Sequence, residues 1–274
     1  MSDLTEDERL VGAFYDETAG DERDRLEKAF PVEYLMTARY LEHYVPQEST
    51  VADVGVGGGH YDELLARRRC RLYLVDVSER LLTGAVARLD SCGLGETVAD
   101  ARVASAARLS HLADASVDAV LLLGPLYHLL TLNERRRAVA EASRVLRPGG
   151  VLLAAAVNRL VGVAYGFALD ADRGAEQLSR YRRFLADGLT DREFAPGIGR
   201  AYFATPEEFA ALFAGRFDTI LLAGLESVTA TRQESFPDLS EPDRTAWLEI
   251  LELVAESRDA LAMSEHLLFV GRKP

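Results

Sequence analysis

Thr50-Val51-Ala52-Asp53-Val54-Gly55-Val56-Gly57-Gly58-Gly59-His60-Tyr61 reads as a buried strand, Thr50 to Val54, that breaks into a glycine loop and enters a helix near His60. Glycines at 55, 57, 58 and 59 allow positive φ and let a ligand approach without a Cβ in the way. A loop of this kind, after a strand and before a helix N-terminus, is a device for binding nucleotides and cofactors. The nicotinamide dinucleotide fingerprint is a poor match, because its sixth position, which wants a small residue, holds His60. The phosphate-binding P-loop is excluded, since no Gly-Lys-Ser/Thr follows the glycines.

Downstream of the loop the chain alternates strands and helices. A helix is expected over 60–68, a strand over 71–75 ending in Asp76, and a helix from the N-cap Ser78 to about Ser91. A short strand near 101–104 and an apolar strand over 118–123 follow. Next come a helix over 133–146, a turn at Arg147-Pro148-Gly149-Gly150 and a strand over 151–157. Thr205-Pro206-Glu207-Glu208 starts a helix running to about Ala214, and strands over 217–223 and 266–272 close the pattern. The expected fold is α/β: a Rossmann-like, doubly wound, seven-stranded and mostly parallel sheet. Within the N-terminal segment 1–49, residues 1–10 read as polar, acidic and frayed, and Leu10 to Tyr44 as two helices broken near Pro31, either a lid or an amphipathic pair on a sheet edge. Within 50–274, residues 158–204 and 224–264 read as helical cap insertions. The second carries one long helix over 241–261, whose face Trp247, Leu248, Leu251 and Val254 is a dimer surface or part of the lid.

With 274 residues the chain can bury a substantial core. Its net charge of −13 argues against a nucleic-acid partner or an anionic membrane surface. Cys70 and Cys92 form neither a CxxC pair nor a disulfide framework and fit a reduced, cytoplasmic setting. No signal peptide or membrane span is expected, and the five histidines form no H-x-x-x-H pair, so no metal is expected.

Four features fall in order: the glycine loop with Asp53 inside it, Asp76 about 20 residues on, Ser105-Ala106-Ala107-Arg108-Leu109, and Leu146-Arg147-Pro148-Gly149-Gly150. Together they resemble the class I S-adenosylmethionine-dependent methyltransferases, of the bacterial small-molecule type. The resemblance implies S-adenosylmethionine as cofactor and S-adenosylhomocysteine as product. It places Gly55 and Gly57 against the methionine part, gives Asp53 the task of holding the loop and orienting the amino group directly or through water, and puts Asp76 on the ribose hydroxyls and Val77 beside the adenine. Ser105 and Ala106 fall at the adenine edge, where family members often carry an Asp in place of Ser105. Leu123 and Gly124 border the methionine moiety, and Tyr15 or Arg39 reaches its carboxylate. His128, with Tyr127 beside it, is the candidate general base for O- or N-methylation of a small molecule. The acceptor is expected between the N-terminal helices and the 158–204 cap, with 224–264 as a third wall. Tyr15, Tyr34, Tyr165, Tyr181 and Tyr202 are available to line it. The competing reading is a cofactor-binding protein of this fold without methyl transfer, acting as regulator or scaffold, and monomer and homodimer both stay open.

Overall fold

Apolar strands with no polar alternation need cover on both faces, and the chain supplies it. The computed structural model describes residues 4–230 and 232–274. Its strands are β1 (Thr50–Val54), β2 (Arg71–Asp76), β3 (Val98–Val103), β4 (Val117–Leu122), β5 (Leu146–Val157), β6 (Asp218–Gly224) and β7 (His266–Arg272). They form one seven-stranded sheet in the order β3-β2-β1-β4-β5-β7-β6. β7 runs antiparallel to both neighbours, and the other pairings are parallel. Val51, Leu72, Leu121 and Leu153 point to one core, while Ala52, Val54, Val120 and Leu152 point to the other. That period of two is the pleat sorting one strand's residues into two layers.

The helices fill those layers. They are α1 (Glu6–Ala29), α2 (Pro31–Tyr44), α3 (His60–Arg67), α4 (Glu79–Ser91), α5 (Pro125–His128) and α6 (Leu132–Val145), followed by α7 (Arg159–Asp170), α8 (Gly174–Asp187), α9 (Pro206–Ala211), α10 (Glu241–Val254) and α11 (Arg258–Met263). Several starts are set by local chemistry. Thr5 with Glu8, Thr131 with Glu134 and Thr205 with Glu208 form reciprocal capping boxes, and the Ser78 hydroxyl accepts from the Leu81 N–H. The first helix thus begins at Glu6, capped by Thr5, inside the stretch that the sequence reads as frayed.

The strands over 50–54 and 266–272 fall where the sequence puts them. β3 begins at Val98, earlier than expected, and its burial is only partial, which weakens the apolar signal. Leu146–Gly150 is not a free turn. It continues β5 through a register shift opposite Val117–Ala119, pinned by the Arg147–Asp118 ion pair. Asp118 also accepts from the Thr50 N–H at 2.8 Å, so this acid ties β1, β4 and β5 together. The single helix expected over 241–261 is two, because Ser257 caps α11 with its side chain. Leu248 and Leu251 face inward, whereas Trp247 and Leu253 are exposed, so the expected common face divides. The short helix α5 was not anticipated. Gly124-Pro125 ends β4 and fixes a helical first turn there. Among the described residues no helix is long and apolar enough to cross a membrane.

Candidate functional site

The carboxyl ends of β1, β2 and β4 meet at one edge of the sheet, where open α/β sheets bind ligands. There the glycine loop forms the floor of a cleft. Gly55 has φ 89°, and a Cβ on it would stand 2.7 Å from the Pro125 ring. Gly57 has φ 52°, and a Cβ on it would meet nothing within 4 Å, so the space above it is free for a ligand. Asp76 closes the opposite side. One of its oxygens accepts from the Gly57 N–H at 3.3 Å and the other from the Ser78 N–H at 2.8 Å.

Val77, Ala106, Leu123 and Gly124 also line this cleft, together with Tyr15, Tyr127 and His128. α1 lies across the cleft. Gly12 packs on Val77, where a Cβ would come within 2.6 Å of the Val77 carbonyl oxygen, and Asp16 accepts from the Ser78 hydroxyl. Tyr15 reaches down from α1, and its hydroxyl pairs with Nε2 of His128 at 2.8 Å. Nδ1 of the same ring lies 3.3 Å from the Arg200 carbonyl oxygen. Both ring nitrogens of His128 are therefore engaged.

Three expected cleft residues lie elsewhere. Arg39 sits on the outward side of α2, paired with Glu252 of α10 at 2.7 and 2.8 Å, and has no part in the cleft. Helical spacing could not tell which face of α2 turns outward. Asp53 is buried beneath the loop and does not line the cleft. Burial first, then Asp62 and Asp76, holds its carboxyl well above the usual range. The Ser105 hydroxyl turns to Glu8 and also accepts from the Ala107 N–H, so Glu8 of α1 is the polar group lining this edge. Glu8 is legible in sequence as a capping-box residue only, because its contact with Ser105 spans 97 positions. Arg144 holds the loop after β3 through Leu109, Leu112 and Asp114.

A second cavity of about 340 Å³ lies beneath α7 and α8. Phe30, Tyr165, Tyr181, Phe194 and Phe203 wall it, and Glu265 and His266 form one polar end. Its position between the N-terminal helices and 158–204 is the one expected for an acceptor. Among the described residues, none of 224–264 lines it, and α10 packs on α2 instead. Tyr202 is spent elsewhere, against the Arg135 guanidinium at 3.5 Å. Tyr34 packs on His60 and Tyr61. Tyr127 lines the cleft and packs against the aromatic cluster of the second cavity, so it stands between the two.

Residues 52–154 match the family model described as a methyltransferase domain. The ubiquinone biosynthesis O-methyltransferase of Xanthomonas axonopodis pv. citri is 36% identical over 135 residues, 49% of this chain and 52% of that protein. The protein of the same name from Caulobacter vibrioides is 30% identical over 166 residues, 61% of this chain and 58% of that protein. The chain thus spans somewhat over half the length of these curated relatives. Among solved structures, an S-adenosylmethionine-dependent methyltransferase of Methanosarcina mazei superposes with a TM-score of 0.56 at 19% identity, covering 85% of this chain and 96% of that one. The [4+2]-cyclase SpnF gives 0.58 at 18% identity, covering 97% and 96%. These two share the fold. The family-model match falls on the stretch that carries the glycine loop and Asp76, so residues 52–154 are similar to a methyltransferase domain.

Proposed function

We propose that the protein transfers a methyl group from S-adenosylmethionine to an oxygen or nitrogen of a small molecule by in-line displacement. The observation that carries this reading is the glycine floor facing Asp76 in a cleft separated from the aromatic cavity by Tyr127. The cleft fits the cofactor on its own chemistry. Gly57 leaves room for backbone approach, the buried Asp76 carboxylate would accept hydrogen bonds from the hydroxyls of a ribose, and Val77, Leu81 and Ala106 offer apolar faces to a base. When bound, the cofactor supplies a methyl group already activated by a sulfonium. The chain's own residues then have three tasks: to hold the cofactor, to align the acceptor and to exclude water. Alignment of this kind is worth about 7–11 kcal/mol in favourable cases. In this reading α1 is the lid and Tyr15 with His128 clamps the methionine end.

Calorimetry with S-adenosylmethionine, paired with detection of S-adenosylhomocysteine across an acceptor panel, tests the reading. Binding without any demethylated product would instead favour a non-transferring role. That second reading has one observation in its favour, since the fold of the [4+2]-cyclase SpnF superposes over 97% of this chain.

The lid has its own test. In Gly12→Val the added side chain meets backbone at Val77, not a movable side chain. Overpacking of this kind costs about 1–3 kcal/mol, so α1 is expected to lift and cofactor affinity to fall roughly tenfold. An unchanged dissociation constant would show that α1 takes no part in holding the cofactor.

A further inference from the structure

We propose that the cavity beneath α7 and α8 takes a planar, mostly apolar molecule bearing a hydroxyl, and that His266, held by Glu226, removes the proton of that hydroxyl. The inference rests on the methyl-transfer reading and assigns its acceptor site and base.

The geometry is that of an oriented base. His266 opens β7 opposite Val157, the last residue of β5, at the same edge of the sheet as the glycine loop. Glu226 is fully buried and grips the residue twice, accepting from the backbone N–H at 2.9 Å and lying 2.6 Å from Nδ1. A carboxylate on Nδ1 puts the ring proton there and leaves Nε2 as the free acceptor. No described residue hydrogen-bonds Nε2, and His266 lines the cavity. Phe30 packs edge-on against the ring at 5.3 Å and fixes its plane.

The surroundings favour the protonated ring. Burial alone would disfavour the charge, but Glu33 of α2, 3.4 Å from Nδ1, and Glu226 after β6 outweigh it and raise the imidazole to about 9. Glu265, next in the chain, adds to this, and its own carboxyl is held at 2.8 Å by the Tyr165 hydroxyl of α7. Glu33 also lines the cofactor cleft, so the base is physically joined to it.

The walls choose the acceptor. Five aromatic side chains suit a flat ring. Arg173 and Arg180 also line the cavity but are paired with Glu176 and Glu193, so the selection against a cationic amine comes from the imidazole, which is disposed to carry positive charge. A neutral hydroxyl meets no such repulsion. In the step, the acceptor oxygen loses its proton to Nε2 and gains the methyl group, while the carbon–sulfur electron pair stays on sulfur as a neutral thioether. The proton then leaves His266 for solvent.

The test uses the full chain, S-adenosylmethionine and a phenol panel led by 2-naphthol, with chelator present. Methylation of a phenol is expected, with kcat/KM rising about tenfold per pH unit and levelling near pH 9. In His266→Gln, kcat is expected to fall by about 10²–10⁴-fold and the pH limb to be lost, with cofactor affinity by calorimetry retained. Glu226→Gln tests positioning. It removes one carboxylate that favours the imidazolium, so its limb moves to lower pH with the same phenol, a change that a purely structural role would not produce. Should His266→Gln fail to fold, Gly197→Trp keeps the test. A Cβ there meets nothing within 4 Å, so the indole can enter the cavity and raise KM for the phenol at unchanged cofactor affinity.

Retained kcat and pH limb in His266→Gln overturn the inference, as does methylation confined to amines or absent by a protein that binds the cofactor. Activity abolished by chelator and restored by manganese also overturns it. The donor atoms of Glu33, Glu226 and His266 lie within 4.8 Å of one another and would then be metal ligands. Failure of the unaltered protein to bind S-adenosylmethionine is a different result and refutes the underlying methyl-transfer reading.

Discussion

Replacing Asp76 with alanine is expected to weaken S-adenosylmethionine binding by about 10²–10⁴-fold while leaving the sheet folded. The carboxylate is 7% exposed and ends β2 at the cleft. Its two oxygens accept from the backbone N–H groups of Gly57 and Ser78. The residue lines the cleft, where two vicinal ribose hydroxyls would both donate to its carboxylate. Hydrogen bonds to a charged group contribute about 1.5–3 kcal/mol each, so losing two costs about 3–6 kcal/mol before water recovers part. The substitution also frees Gly57 to drift, which lowers the preorganisation of the loop. Asp76→Asn separates the two effects. Its amide keeps one acceptor and much of the shape, so its affinity should fall between those of the parent and the alanine variant. Calorimetry reads all three proteins directly. An alanine variant that binds as tightly as the parent would remove Asp76 from the ribose site, and with it the main anchor of the cofactor assignment.

The residues that the sequence locates well are those whose role is local in the chain. The loop over 55–59, the acid at 76 and the Ser78 cap each act within a few positions of themselves, so their spacing carries the information. β4 and β7 are apolar without alternation, which marks strands covered on both faces. Arg39, Ser105 and Glu8 show the limit. Their roles depend on which way a helix face turns when it docks, and on pairs separated by 97 and 213 positions. His266 was visible as a histidine heading an apolar strand, one of five histidines without paired spacing. Only the sheet order, which places β7 beside β5, brings it to the edge where the chemistry is and puts Glu33 and Glu226 around it. Asp53 was legible as the strand acid beneath the loop. Its neighbour Asp62 was not, because a carboxylate in the first turn of a helix normally signals only a favourable dipole contact.

That neighbour has a consequence for stability. Asp62 is 0% exposed, and its carboxyl meets that of Asp53. The two acids must share a proton, since two buried charges without a cation between them are costly. Burial, the largest effect, pushes Asp62 up to about 6, opposed by its hydrogen bond with Asp53, with Asp76 adding to the rise and Arg88 opposing it. A carboxyl raised in the folded state binds its proton more tightly there than when unfolded. Its favourable contribution is complete below the unfolded value near 4 and is lost as pH rises through about 6. Above that pH the pair therefore destabilises the fold, by about 3 kcal/mol for a shift of two units. Asp62→Asn removes the titration and supplies an amide donor to Asp53. Thermal unfolding at pH 8 is expected to rise by roughly 5–10 °C, since each kcal/mol moves a domain of this size by about 2–4 °C. The gain should shrink towards pH 5, where the parent already holds the proton. Equal melting shifts at both pH values would show that the acid pair is not what the substitution relieves. A loss of stability at pH 8 would mean that the Asp62 charge is held by partners that Asn cannot replace.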